Sequence, residues 1–134
     1  MDSTFFISLP VSDLARSVVF YEALGFMVDP SAVDENTTVL KWKDSVSLML
    51  FTHEAFQPLI GDKQIIDAKT SIGALMTPIL ESREAVQKFA DTAKANGGDY
   101  FAASENNPED MVFSYEVTDP DGHQWEPMYM STGL

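Results

Sequence analysis

The chain has 134 residues, a hydrophobic fraction of 45% and a formal charge of −13, from 21 acidic against 8 basic side chains. That length suits one domain or two small repeated modules sharing a core, and the apolar content excludes a disordered chain. The acidity argues against phosphate backbones and anionic membranes as partners, no stretch approaches the ~20 apolar residues needed to span a bilayer, and the absence of cysteine excludes disulfides and thiolate chemistry. With no basic segment leading into an apolar run at the N-terminus, the cytoplasm is the expected location.

Residues 5–11 alternate as a strand, with Phe5, Ile7, Leu9 and Val11 on one face and Phe6, Ser8 and Pro10 on the other. Asp13 is suited to cap a helix carrying Leu14, Val18 and Tyr21 on one side, closed by Gly25. Strands are predicted to begin at residues 26–29 and to cover 37–43 and 46–52, the last two joined through Asp44-Ser45 as a hairpin. This makes a first βαβββ module over residues 1–53. Residues 54–70 read as a connection with room for a helical turn over 54–60.

The same order then returns over residues 71–134. A strand is expected at 72–80, and Ser82 caps a helix whose Val86, Phe89, Ala90 and Ala93 share one stripe before Gly97-Gly98 ends it. Strands follow at 100–102, 112–118 and 124–130. The last two flank Asp119-Pro120-Asp121-Gly122, in which proline presets one backbone angle, glycine accepts positive φ and aspartate can bond its own backbone. The repetition is architectural, with little residue identity.

Counting back seven residues from the caps Asp13 and Ser82 pairs Phe6 with Leu75; counting five on from the turn residues Asp44 and Asp121 pairs Met49 with Glu126. These four positions would face a common cavity if two curled sheets lie side by side. Strand alternation sets Gln124, Glu126 and Met128 on one face and Trp125, Pro127 and Tyr129 on the other. Glu126 is therefore an acid among large apolar groups. It either points at solvent or is buried, and then needs a metal, a proton or a ligand to offset its desolvation. If Thr118 faces His123 across the turn, antiparallel register puts Tyr115 opposite Glu126. A phenol donating to the carboxylate would lower a pKa that burial raises, suiting Glu126 to act as a general base or to orient a ligand. The third outcome is a relic acid satisfied by Tyr115 or water. Ser8 is a further hydrogen-bonding candidate on the cavity face of the first strand.

Leu9-Pro10-Val11-Ser12-Asp13-Leu14-Ala15-Arg16-Ser17, Phe20-Tyr21-Glu22-Ala23-Leu24-Gly25-Phe26, Ser82-Arg83-Glu84-Ala85-Val86 and Asp119-Pro120-Asp121-Gly122-His123 through Trp125-Glu126 together resemble the vicinal oxygen chelate superfamily. That superfamily includes glyoxalases, extradiol dioxygenases and bleomycin-sequestering proteins. The resemblance implies an α+β fold of paired βαβββ modules forming a curled mixed sheet around a cavity, and commonly a divalent metal held by side chains at the four paired positions. Only Glu126 matches a ligand position, as a lone inherited carboxylate. Phe6, Met49 and Leu75 offer neither a hard oxygen nor an imidazole nitrogen, and one carboxylate is too little for a closed site. His123 is a poor co-ligand, three residues before Glu126 and on the opposite face of a strand, whereas His53 lies after the fourth strand, where a loop could direct it anywhere.

The resemblance implies a small-molecule-binding protein, glyoxalase-like or dioxygenase-like, with Phe6, Ser8, Met49, Leu75, Gln124 and Met128 lining the ligand and Glu126 and Tyr115 as the catalytic candidates. No cofactor is expected, a divalent metal being possible but disfavoured. As an enzyme it would be a lyase or isomerase acting on a carbonyl compound, or a ring-opening dioxygenase. The rival is a non-catalytic sequestration protein of the bleomycin-resistance kind, taking a cationic or aromatic compound. Pairing into a homodimer is likewise implied by the resemblance.

Overall fold

The computed structural model describes residues 4–107 and 109–132. The chain divides into two compact units, Met1–Ile66 and Asp67–Leu134, and the division falls inside the expected connection. Among the described residues no helix is long and apolar enough to cross a membrane.

The first unit runs β1 (Phe5–Val11), α1 (Leu14–Ala23), β2 (Met27–Val33), β3 (Thr37–Trp42), β4 (Val46–Thr52) and α2 (His53–Ile60). Its sheet has the order β1-β4-β3-β2, with β1 parallel to β4 and the other pairs antiparallel. Asp13 caps α1 by accepting the Arg16 N–H at 3.1 Å. The helix closes in a Schellman motif, with Gly25 N–H on Glu22 O and Phe26 N–H on Tyr21 O, both at 3.0 Å. Between those ends Ser17, Phe20 and Tyr21 are buried, and α1 packs on β3 and β4. Leu40 and Leu48 are register partners and Leu50 follows on the same face, all almost fully buried. The strand expected to begin at residues 26–29 is β2, which runs to Val33 with a register shift between Val28 and Val33. An edge strand tolerates Pro30 there because its missing N–H interrupts no inner ladder. The helical turn expected over residues 54–60 is α2.

The second unit runs β5 (Leu75–Met76), α3 (Arg83–Ala95), β6 (Asp99–Phe101), β7 (Val112–Ser114), β8 (Glu116–Thr118), β9 (Gln124–Trp125) and β10 (Met128–Met130). The order β5-β9-β8-β6 repeats that of the first unit, and β7 and β10 form a separate ribbon. Ser82 Oγ accepts the Ala85 N–H at 3.0 Å, and α3 buries Val86, Phe89, Ala90 and Ala93. Gly98 N–H returns to Ala93 O at 2.9 Å, closing the helix as α1 is closed.

Here the strands are shorter than the sequence suggests. The strand expected at 72–80 is regular only at Leu75–Met76, with one further parallel bridge between Ile79 and Met128. Those expected at 112–118 and 124–130 are each split in two. Proline explains the break: Pro127 has no N–H to donate, and its carbonyl takes only a long 3.4 Å bond from Tyr115 N–H. On either side of it, Glu126 N–H and Met128 N–H bond Met76 O at 2.7 Å and Pro78 O at 3.0 Å. Register survives the break. The pairs Thr118–Gln124, Val117–Trp125, Ser114–Met128 and Phe113–Tyr129 all belong to one antiparallel series.

The turn between β8 and β9 is built as its residues suggest. Asp119 Oδ1 accepts the Asp121 and His123 N–H groups at 2.9 Å each, while its own N–H donates to His123 O at 2.9 Å. Gly122 has a φ of +101°, and a Cβ there would lie 2.7 Å from Ala68 C and O and from Lys69 N. Glycine is required at this position both by the backbone angle and by the closeness of the 68–69 backbone.

Candidate functional site

Continuing the series through the break sets Glu116 against Glu126 across the sheet. This corrects the expected pairing of Thr118 with His123 and of Tyr115 with Glu126. The turn closes one residue later, because Asp119 itself forms the last backbone bond to His123. A slip of one residue moves every side chain to the other face.

Tyr115 is accordingly turned towards α3. Its hydroxyl donates to Gln87 Oε1 at 2.9 Å, and Gln87 Nε2 donates to Asp91 Oδ1 at 3.0 Å. The Tyr100 hydroxyl donates to the same Asp91 oxygen at 3.1 Å, and that carboxylate holds the Tyr100 phenol above its ordinary pKa. The Tyr100 and Tyr115 rings meet edge to face at 5.0 Å. Tyr115 thus joins helix to sheet, on the face opposite Glu116.

Glu116, missed by the sequence reading, is the most unusual acid of the unit. It is 6% exposed, and its Oε2 is buried with no hydrogen-bond partner. Burial, then a hydrogen bond with Glu126, then the charge of Glu126 push its pKa up to about 7, while a hydrogen bond with Gln124 pulls it down. Two carboxyl groups in hydrogen-bonding range cannot both ionise cheaply, so near neutral pH the arrangement retains a proton. It can accept hydrogen bonds from a ligand, donate one through the protonated acid, and exchange that proton.

Around this pair the register sets Phe101 beside Glu116 and both Thr118 and Leu75 beside Gln124. Met128 stands between Ser114 and Ile79. Phe101 is 55% and Leu75 45% exposed. Of the predicted residues, Leu75, Gln124 and Met128 lie on β5, β9 and β10 of the second unit, and Glu126 in the break between β9 and β10. Phe6, Ser8 and Met49 lie in the first unit, where Ser8 pairs with Met49, Met49 with Val39, and Phe6 with Ser47. His53 is exposed at the first position of α2, and His123 is half-buried in the turn.

The donor set does not fit a resident metal of the chelate kind. Phe6, Met49 and Leu75 carry no suitable donor atoms, and among the described residues no group of three or more His, Asp or Glu side chains is arranged to hold an ion. The signal that would have found Glu116 is the alternation over 112–118. Phe113, Tyr115 and Val117 form an apolar and aromatic row, and Ser114, Glu116 and Thr118 a polar one. Matching Val117 to Trp125 brings the two acids together.

Three solved structures reproduce the fold closely. A hypothetical protein from S. aureus is 21% identical with a TM-score of 0.76, covering 96% of this chain and 94% of that one. A glyoxalase/bleomycin resistance protein/dioxygenase family enzyme from Burkholderia phytofirmans is 17% identical with a TM-score of 0.75, covering 93% and 96%. A glyoxalase-related enzyme from Fulvimarina pelagi is 21% identical with a TM-score of 0.74, covering 96% and 88%. Identities this low show the fold alone, and no curated protein matches the chain. The family model of the Glyoxalase/Bleomycin resistance protein/Dioxygenase superfamily matches residues 5–126. With the repeated βαβββ order this makes the protein a mixed α+β member of that superfamily.

Proposed function

We propose that this protein binds a small organic molecule on the acidic face of its second unit, with Glu126 and Glu116 as polar anchors and Gln124, Leu75 and Met128 beside them. The observation that supports this reading is Glu116: 6% exposed, with a buried oxygen lacking any partner, next to a second acid. Such a group is costly to retain in a purely structural role. Where turnover occurs, the chemistry suited to the pair is proton transfer on a carbonyl compound, of the lyase or isomerase class. Glu126 then acts as base and the protonated Glu116 as acid. Ring-opening oxygenation suits the donor set poorly.

A thermal-shift screen of a metabolite library tests the proposal. Compounds that stabilise the wild-type chain should lose their effect in Glu126→Gln, and stabilisation that persists in the variant would contradict it. Titration with zinc, nickel, manganese and iron(II) should give no stoichiometric complex; a tight complex abolished by Glu126→Ala would overturn the metal-independent part. The rival reading, sequestration without catalysis, is favoured by the charge of −13, which draws cationic compounds. It predicts saturable binding with no change to the ligand. We also propose a homodimer, which light scattering at micromolar concentration would refute by returning the mass of one chain.

A further inference from the structure

We infer that the acidic face of the second unit is built for a primary ammonium group carried on an apolar body, with Glu116, Glu126 and Gln124 as acceptors and Phe101 against the body. The inference rests on the binding role proposed above and narrows its ligand class. A primary ammonium has three N–H donors and no acceptor. The face offers the complementary set: the Glu116 carboxyl on β8, the Glu126 carboxyl set against it by the continued register, and the Gln124 side chain one pair further along. The buried Oε2 of Glu116 is an acceptor already withdrawn from water and lacking a donor. An ammonium ligand takes the place of the proton that the pair otherwise retains near neutral pH, so that both carboxylates and the Gln124 oxygen serve as acceptors.

Among the described residues no cation is one of the groups that act on this acid. Glu126 and Gln124 are the side chains that act on Glu116. Lys94 is 3.9 Å from Asp99 and stacks on Tyr100. Arg83 donates to Asp110 O at 2.6 Å and lies over the Tyr129 ring. Asp99, the charge of β6, stands opposite Thr118 and is the carboxylate that Lys94 approaches. The flanks are apolar: Phe101 at 55%, Leu75 at 45% and Ile79 at 42% exposure are each register partners of residues on the acidic face. Beside the acids Phe101 presents an aromatic surface suited to the body of the ligand and, through its ring face, to the cation. An anion meets repulsion here, and a neutral hydroxyl brings a single donor for several acceptors.

The test is an amide NMR titration of the full chain with benzylammonium, benzyl alcohol and benzoate, repeated in Glu116→Gln and Phe101→Ala. Benzylammonium should saturate, shifting amides near Phe101, Glu116, Gln124 and Glu126. Its affinity should fall about tenfold or more in Glu116→Gln, the scale of a lost hydrogen bond to a charged group, and by less in Phe101→Ala. Glu116→Gln removes only one charge from the total, so attraction by net charge alone would leave binding almost unchanged, and that result overturns the inference. Equal binding of benzyl alcohol or benzoate also overturns it, yet leaves the binding role intact wherever their binding depends on Glu126. If Glu116→Gln loses its folded spectrum, Glu126→Gln reports on the same acceptor set, and unweakened benzylammonium binding there again overturns the inference.

Discussion

The two units share one strand order yet differ at the same place in it. In the first, the residue five after the hairpin turn is Met49, and its cross-strand neighbour is Val39, 4% exposed. In the second, the counterparts are Glu126 and Glu116. The first unit has strands of six or seven residues and rows of buried leucine, whereas those of the second have two or three and are broken by proline. At this one place the first copy of the module is apolar and the second carries two acids.

The largest effect should come from making the first unit resemble the second. Val39→Glu puts a carboxyl at a position that is 4% exposed and faces Met49, and should cost on the order of 3–5 kcal/mol, read as a large drop in melting temperature. A loss below about 1 kcal/mol would mean that the Val39 position admits water and the contrast between units is false. Next come the turns. Gly122→Ala meets both a φ of +101° and backbone atoms at 2.7 Å, whereas Gly25→Ala, at a φ of +103°, has nothing within 4 Å. The first should cost roughly 2–4 kcal/mol and the second about 1 kcal/mol; equal losses in chemical denaturation would show that the 68–69 backbone yields.

Glu116→Gln comes third, and its sign depends on pH. The folded state holds the Glu116 proton more tightly than the unfolded chain, from an ordinary value of 4.5 to about 7. The stability this gives is complete below the unfolded pKa and is lost as pH rises through the folded one. Wild type should therefore weaken between about pH 4.5 and 7, whereas Glu116→Gln should hold level and exceed wild type at pH 8 by about 1–3 kcal/mol. Parallel pH profiles would contradict the shift. The smallest effect is Lys43→Gly in the first hairpin. It relieves a φ of 58° but forfeits the stacking of Lys43 on Trp42, for a net change within about 0.5 kcal/mol.

Most of the architecture was legible because it is written in local chemistry. Asp13 and Ser82 cap the helices they precede, Gly25 and Gly97 follow the last helical turns, and Asp119 to Gly122 make the turn their side chains dictate. The acid pair was hidden by register, a property of two strands together. Nothing in Asp119-Pro120-Asp121-Gly122 alone says whether Thr118 or Asp119 makes the closing bond to His123, and that choice exchanges Tyr115 for Glu116. The shortened β5 and the breaks at Tyr115 and Pro127 were hidden for a related reason. An apolar run such as residues 72–80 satisfies strand propensity whether or not a neighbour supplies its hydrogen bonds. Phe6, Met49 and Leu75 show the reverse: counting from caps and turns located them, and their lack of donor atoms was plain from their chemistry.

The coupling of Glu116 to Glu126 is tested most directly by a carboxyl carbon NMR titration of the full chain labelled at glutamate, with Glu116→Gln and Glu126→Gln used for assignment. Glu116 should titrate at about 7, with a midpoint that falls when the carboxylate of Glu126 is replaced by an amide. A Glu116 resonance titrating near 4.5 in the wild-type chain, indifferent to position 126, would contradict that coupling.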